Sequence, residues 1–196
     1  MAAATTGVLI LFSFFAFAGH GPSTYKFAIL FLGPFIWTVY AIRRRIHLHP
    51  VHFLLLCLAF ILHDMGTFGF YRKSFLNLQF DCYVHFFFGV AGGSILARAF
   101  EWQFGLKGWR LGIAAVVFIL GLGAIHEEIE CASTIILGPE KGMLKLNDPN
   151  PFDTQKDLMN NGLGAMLAVL IYRFTNRTLN AAEESRFAPI QVNVSR

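Results

Sequence analysis

Six apolar stretches divide the chain: Gly7–Ala18, Phe27–Ile42, Val51–Leu62, Tyr83–Ala99, Leu111–Leu137 and Gly162–Phe174. About 20 apolar residues are needed to cover the hydrocarbon core of a bilayer, and several of these stretches fall short of that. The short ones must recruit polar flanking residues, as they do in a bundle with a polar pocket near one face. A helix satisfies its own backbone in lipid, so the pattern predicts an all-α fold, an integral membrane bundle of about six transmembrane helices. Residues 1–180 read as a single multi-pass domain and residues 181–196 as a polar cytoplasmic tail. The first stretch ends in Ala16-Phe17-Ala18 before Gly19, which resembles a signal-peptide cleavage site. No basic residue leads it, so it reads as a retained helix.

Composition points the same way. The chain is 55% hydrophobic and 14% charged, against roughly 25% charged residues in a soluble domain. The net charge of +4 is not a nucleic-acid signal, because the basic residues are spread among short loops. Arg43-Arg44-Arg45, then Arg98, Lys107 and Arg110, then Arg173 and Arg177 all fall on one side of an alternating six-helix topology. The positive-inside rule makes that side cytoplasmic, with both termini on it, in a multi-pass protein of the inner or plasma membrane. Arg72-Lys73 and Lys141/Lys145 give a weaker opposing signal. Cys57, Cys82 and Cys131 make no disulfide framework and read as buried thiols, a single Cys82–Cys131 bridge remaining open.

The acids change the picture most. Asp81 and His85 open the fourth stretch, Glu127 and Glu130 interrupt the fifth, and Asp153 and Asp157 lead into the sixth, all at its outer end. An ionised carboxylate at mid-bilayer costs about 2.5–3.5 kcal/mol, so such groups persist when protonated, paired, hydrated or metal-bound. Asp81 and His85 lie one helical turn apart, which suits a ligand pair or, equally, an N-cap and an interfacial histidine. Glu127 and Glu130 share a helix face, whereas Glu128 points about 100° away. Asp153, Asp157 and Asn161 form a stripe, with Asp153 also suited to cap its helix after the turn residues Asp148-Pro149-Asn150-Pro151. His63-Asp64 ends the third stretch as ligands or as a polar interface stop. His47, His49 and His52 belong to the opposite face, with the lipid headgroups.

These residues give the chain a resemblance to the YjdF-type family of small bacterial multi-pass membrane proteins, a domain of unknown function. The motif Phe80-Asp81-Cys82-Tyr83-Val84-His85-Phe86-Phe87-Phe88-Gly89 is similar to that family's aromatic-Asp, His and Gly pattern. It continues through Arg98-Ala99-Phe100-Glu101, Glu127-Glu128-Ile129-Glu130, Asp148-Pro149, Asp153-Thr154-Gln155-Lys156-Asp157 and Gly164-Ala165. Two positions depart from it: His126 stands where an aromatic usually precedes the first Glu, and Cys131 where a Trp usually follows the second. The resemblance implies a helical membrane bundle in which Asp81, His85, Glu127, Glu130, Asp153 and Asp157 act together, and it implies no reaction.

Carboxylates with a histidine make an oxygen-rich site for a divalent metal ion such as Zn, Mn, Mg or Fe. The first expectation is a metal-dependent membrane hydrolase acting on a lipid or lipid-linked substrate in the outer leaflet. Asp81, His85, Glu127 and Glu130 would be the metal ligands, and Asp153 or Asp157 the catalytic base. A proton- or cation-coupled carrier and a non-catalytic metal-stabilised scaffold or sensor are the alternatives. The expected partners are the lipid bilayer and that substrate, with no nucleic acid.

Overall fold

The computed structural model describes residues 2–18, 28–138 and 152–187. The loop residues Lys141, Lys145 and Asp148 to Pro151 lie outside them, as does most of the expected tail. Among the described residues the fold is all-α, with helices α1 (Ala2–Phe17), α2 (Ala28–Ile42), α3 (Pro50–Thr67), α4 (Phe80–Phe104), α5 (Gly108–Leu137) and α6 (Asp153–Phe187). Each apolar stretch read from the sequence lies within one helix, except that the first runs one residue past α1 to Ala18 and the second begins at Phe27, outside the described residues. Helix α6 continues through Phe187, past the point where a tail was expected.

Local chemistry sets the helix ends. Pro50 opens α3, where its missing N–H costs nothing, and the His49 side chain accepts from the Val51 amide. Gly105 closes α4 in the left-handed region, its N–H donating to the Glu101 carbonyl. Between α3 and α4 a 3-10 turn (Phe70–Arg72) leads into an antiparallel hairpin of β1 (Ser74–Phe75) and β2 (Leu78–Gln79). Its turn residues Leu76 and Asn77 both have positive φ, as a type I′ turn requires. The sequence reading contains no strand here. A two-residue ladder is too short to leave an alternating pattern.

Helices α4 and α6 make the most extensive contact in the fold. Small residues let their backbones meet. A Cβ on Gly89 would run into the Asn161 carbonyl, and one on Gly164 into the Phe86 carbonyl. One turn along α4, a Cβ on Gly93 would lie 2.9 Å from the Ala165 Cα. Small-residue faces of this kind are how membrane helices gain contact when lipid offers no hydrophobic drive between them. A second core joins Leu9, Ile36, Val39, Phe53 and Leu56 from α1, α2 and α3.

Among the described residues two helices, α4 and Gly108–Ile136 of α5, are long and apolar enough to cross a membrane; Ala2–Leu11, Gly33–Ile42 and Pro50–Gly66 are apolar but shorter. Ile113, Val117, Phe118, Leu122, Ile125 and Ile129 line the outside of α5, and Leu163, Met166, Leu167, Leu170 and Ile171 that of α6, all exposed. Continuous apolar surface of this extent is rare on a soluble monomer.

Replacing Gly89 or Gly164 by Ala is expected to cost about 1–3 kcal/mol by overpacking the α4–α6 crossing. Gly121 is exposed on α5, and a Cβ added there would meet nothing within 4 Å. It is the matched control and should tolerate Ala without loss. Thermal unfolding in detergent reads the difference.

Candidate functional site

Four helix ends meet at one end of the bundle. Helix α3 brings His63, α4 brings Asp81 and His85, α5 brings His126, Glu127 and Glu130, and α6 brings Asp153, Lys156 and Asp157. Asp81 and Asp153 occupy the first turns of α4 and α6, where the helix dipole favours negative charge. The α4–α6 crossing lies one turn further in, so the same close packing that excludes a Cβ at Gly89 sets His85 beside Asp157.

The His85 imidazole is central. Its Nε2 lies 3.4 Å from Asp81 Oδ1 and 3.7 Å from Asp157 Oδ2. Asp81, His85 and Asp157 each offer one ligand atom, and the three atoms all lie within 4.8 Å of one another. Asp157 is only 3% exposed, and its Oδ1 has no hydrogen-bond partner. One turn deeper, Asn161 is 1% exposed and its Oδ1 likewise lacks a partner.

The other oxygens of the two aspartates face Lys156. Its ammonium lies 3.5 Å from Asp81 Oδ2 and 3.8 Å from Asp157 Oδ1. It also pairs with Asp153 and donates to Gln79 Oε1 at 2.8 Å, so the hairpin contributes directly to the site. Burial works against this charge, but the hydrogen bond to Asp153 and the charges of Asp157, Asp153 and Asp81 outweigh it. The Lys156 pKa is held above the ordinary lysine value.

Glu127 and Glu130 have different partners. Glu127, 7% exposed, accepts a hydrogen bond of 3.1 Å from the Thr154 hydroxyl. Glu130 Oε1 lies 3.1 Å from His126 Nε2, one turn back on the same helix. Glu128 is exposed, as the helical offset from Glu127 requires. The His126 ring stands 6.2 Å from the His85 ring and 5.9 Å from the His63 ring, and His63 Nδ1 is 2.8 Å from the Tyr71 hydroxyl. A Cβ on Gly66 would run into the Tyr71 ring, so that glycine lets the tyrosine reach His63.

Among the residues expected to act together, Asp81, His85 and Asp157 form the tight group. Glu127 and Glu130 lie beside it on α5 with partners of their own, and Asp153 is held by Lys156. Asp64 is buried in α3. At the other end of the bundle, His47 stacks on Trp102 at 4.0 Å, His49 caps α3 and His52 is partly buried near Tyr172. Sequence reasoning passed over Lys156, although its position three residues after Asp153 marks a helical ion pair. Gln79 and Tyr71 carried no signal, because only the turn and hairpin between α3 and α4 bring them to the site.

Searches of the curated proteins and of the solved structures return no match. A family model described as "Predicted membrane protein (DUF2238)" matches residues 1–178. This agrees with the motif resemblance to an uncharacterised membrane family, and a member would sit in a lipid bilayer. With nearly the whole described structure inside the match, the chain belongs to the predicted membrane protein family DUF2238.

Proposed function

We propose that the protein is a multi-pass membrane hydrolase that binds a divalent metal ion through Asp81, His85 and Asp157. The observation that carries this is the spacing around His85 Nε2, 3.4 Å to Asp81 and 3.7 Å to Asp157. Both separations exceed a normal hydrogen bond of about 2.7–3.2 Å. The first matches the edge of a tetrahedral shell, since two ligands on bonds of about 2.0–2.2 Å stand roughly 3.3–3.6 Å apart, and the second is slightly longer than that edge. Two carboxylates and one imidazole leave a fourth position for water, whose pKa such an ion lowers toward ~7. Asp157 thereby joins the ligands, and Glu127, buried and oriented by Thr154, is the carboxylate left to serve as base. The exposed apolar sides of α5 and α6 favour a substrate that arrives through the membrane, a lipid or lipid-linked molecule.

The six helices would then span the bilayer with the Arg43–Arg45 turn and both termini on the cytoplasmic side and the acidic end outside. The shorter helices are compatible with this if the acidic end is hydrated. A second reading, a proton-coupled carrier, has its own observation: the line of rings from His63 through His126 to His85. Intramembrane histidines and acids in series are the usual makings of a proton relay.

Metal analysis of detergent-purified protein separates these readings. The hydrolase predicts a stoichiometric ion and a melting temperature that chelator lowers, because metal binding free energy is folding free energy. Asp157→Asn should lose the ion. Glu127→Gln should keep it while hydrolysis of phosphatidylethanolamine/phosphatidylglycerol vesicles falls by about 10²–10⁴-fold. A retained ion with no turnover in the wild type would make the protein a metal-stabilised scaffold. No ion, with pH-dependent proton uptake, would make it the carrier.

For the topology, a reporter that matures only outside the cell should stay silent when fused after Arg177. Single cysteines near Asp153 should react with impermeant reagents from the outside. Labelling from the cytoplasmic side alone would invert the orientation and the site with it.

A further inference from the structure

We propose that Lys156 determines which cation the Asp81/His85/Asp157 site accepts, restricting it to a small ion of low coordination number such as Zn²⁺ and excluding Ca²⁺. The inference rests on the metal-binding reading above and names the ion class of that same site. A carboxylate has two oxygens and can bind a metal through one or both. In this structure each aspartate is divided between two neighbours. Asp81 turns Oδ1 to His85 and Oδ2 to Lys156, and Asp157 turns Oδ2 to His85 and Oδ1 to Lys156. While the ammonium stays in place, an ion beside His85 meets one oxygen from each carboxylate and one nitrogen.

Three single-atom ligands and a water complete a tetrahedral zinc shell. They fall well short of the 6–8 oxygens, commonly with a bidentate carboxylate, that calcium takes. The imidazole adds to the discrimination, since nitrogen suits zinc and is a poor ligand for calcium. Lys156 is itself well anchored. Gln79 accepts from it at 2.8 Å and Asp153 pairs with it, one partner from the hairpin and one from its own helix. Asp157 is itself withdrawn from water. The residue is 3% exposed, and the Oδ1 facing Lys156 makes no hydrogen bond, so Lys156 screens that oxygen without satisfying it. Taking the lysine away would free one oxygen on each aspartate for bidentate binding.

The test is calorimetric titration of the full-length protein in detergent with Zn²⁺ and with Ca²⁺, for wild type, Lys156→Met and Lys156→Arg. Removing a positive charge strengthens binding of any divalent ion, so the deciding quantity is the ratio of the two affinities. Wild type and Lys156→Arg should favour Zn²⁺ strongly, and in Lys156→Met the Ca²⁺ affinity should gain on Zn²⁺ by about tenfold or more. An unchanged ratio in Lys156→Met overturns the proposal while leaving the metal site standing. Failure of the wild type to bind either ion overturns the metal reading, and the proposal with it. Should Lys156→Met not fold, X-ray absorption on the zinc-loaded wild type decides. A single shell of four N/O ligands at about 2.0–2.2 Å supports monodentate binding, and a shell of five or more with bidentate carboxylates overturns it.

Discussion

The closeness of α4 to α6 is the constraint on which the site depends. Gly89 and Gly164 each meet a backbone carbonyl of the other helix, so neither helix can rotate or retreat without opening the contact. His85 stands one turn before Gly89, and Asp157 two turns before Gly164. Their 3.7 Å approach is therefore a geometric consequence of glycines that carry no chemistry themselves. At the far end of the same two helices the Tyr172 hydroxyl donates to Glu101, and Arg98 Nε donates to the His47 carbonyl at 2.8 Å. The helix pair is pinned at both ends, with the small-residue crossing between them.

Charge balance follows from that packing. Asp81, Asp153 and Asp157 gather around one ammonium and one imidazole, while Glu127 and Glu130 draw on Thr154 and His126. Carboxylates outnumber the cations near them even if His85 and His126 are both charged. Removing one partner of a buried ion pair is costly, commonly about 3–5 kcal/mol, whereas the intact pair contributes little net stability. So dense a cluster is a poor way to hold a bundle together.

Much of this was legible in the sequence. The helix positions followed from apolar runs that need no tertiary information, and the convergence of four helix ends followed from every acidic cluster lying at the same end of its segment. The partition among the acids was harder to read. Glu127 and Glu130 share a face, which made them a natural ligand pair, yet their partners are set by Thr154 on another helix and by His126 one turn back. That Asp157 stands beside His85 was not legible, because spacing along α6 says nothing about its distance from α4. Gln79 was out of reach for a similar reason. A two-residue ladder turning through Leu76 and Asn77 leaves almost no periodic trace, yet it carries the side chain that accepts from Lys156.

The asymmetry between the two ends of the bundle connects packing to use. One end gathers Arg43, Arg44, Arg45, Lys107 and Arg110 with Trp102 and Trp109, an interfacial composition whose charges remain mostly exposed. The other gathers acids and histidines whose charges are mostly withdrawn from the surface. Exposed charge at a membrane face orients a protein and costs little, because headgroups and water solvate it. Withdrawn charge does nothing for orientation and persists only where something compensates it. Lys156 supplies part of that compensation, and the unbonded oxygens of Asp157 and Asn161 mark where it stops. The chemistry of this chain is accordingly sought at its acidic end, between the first turns of α4 and α6.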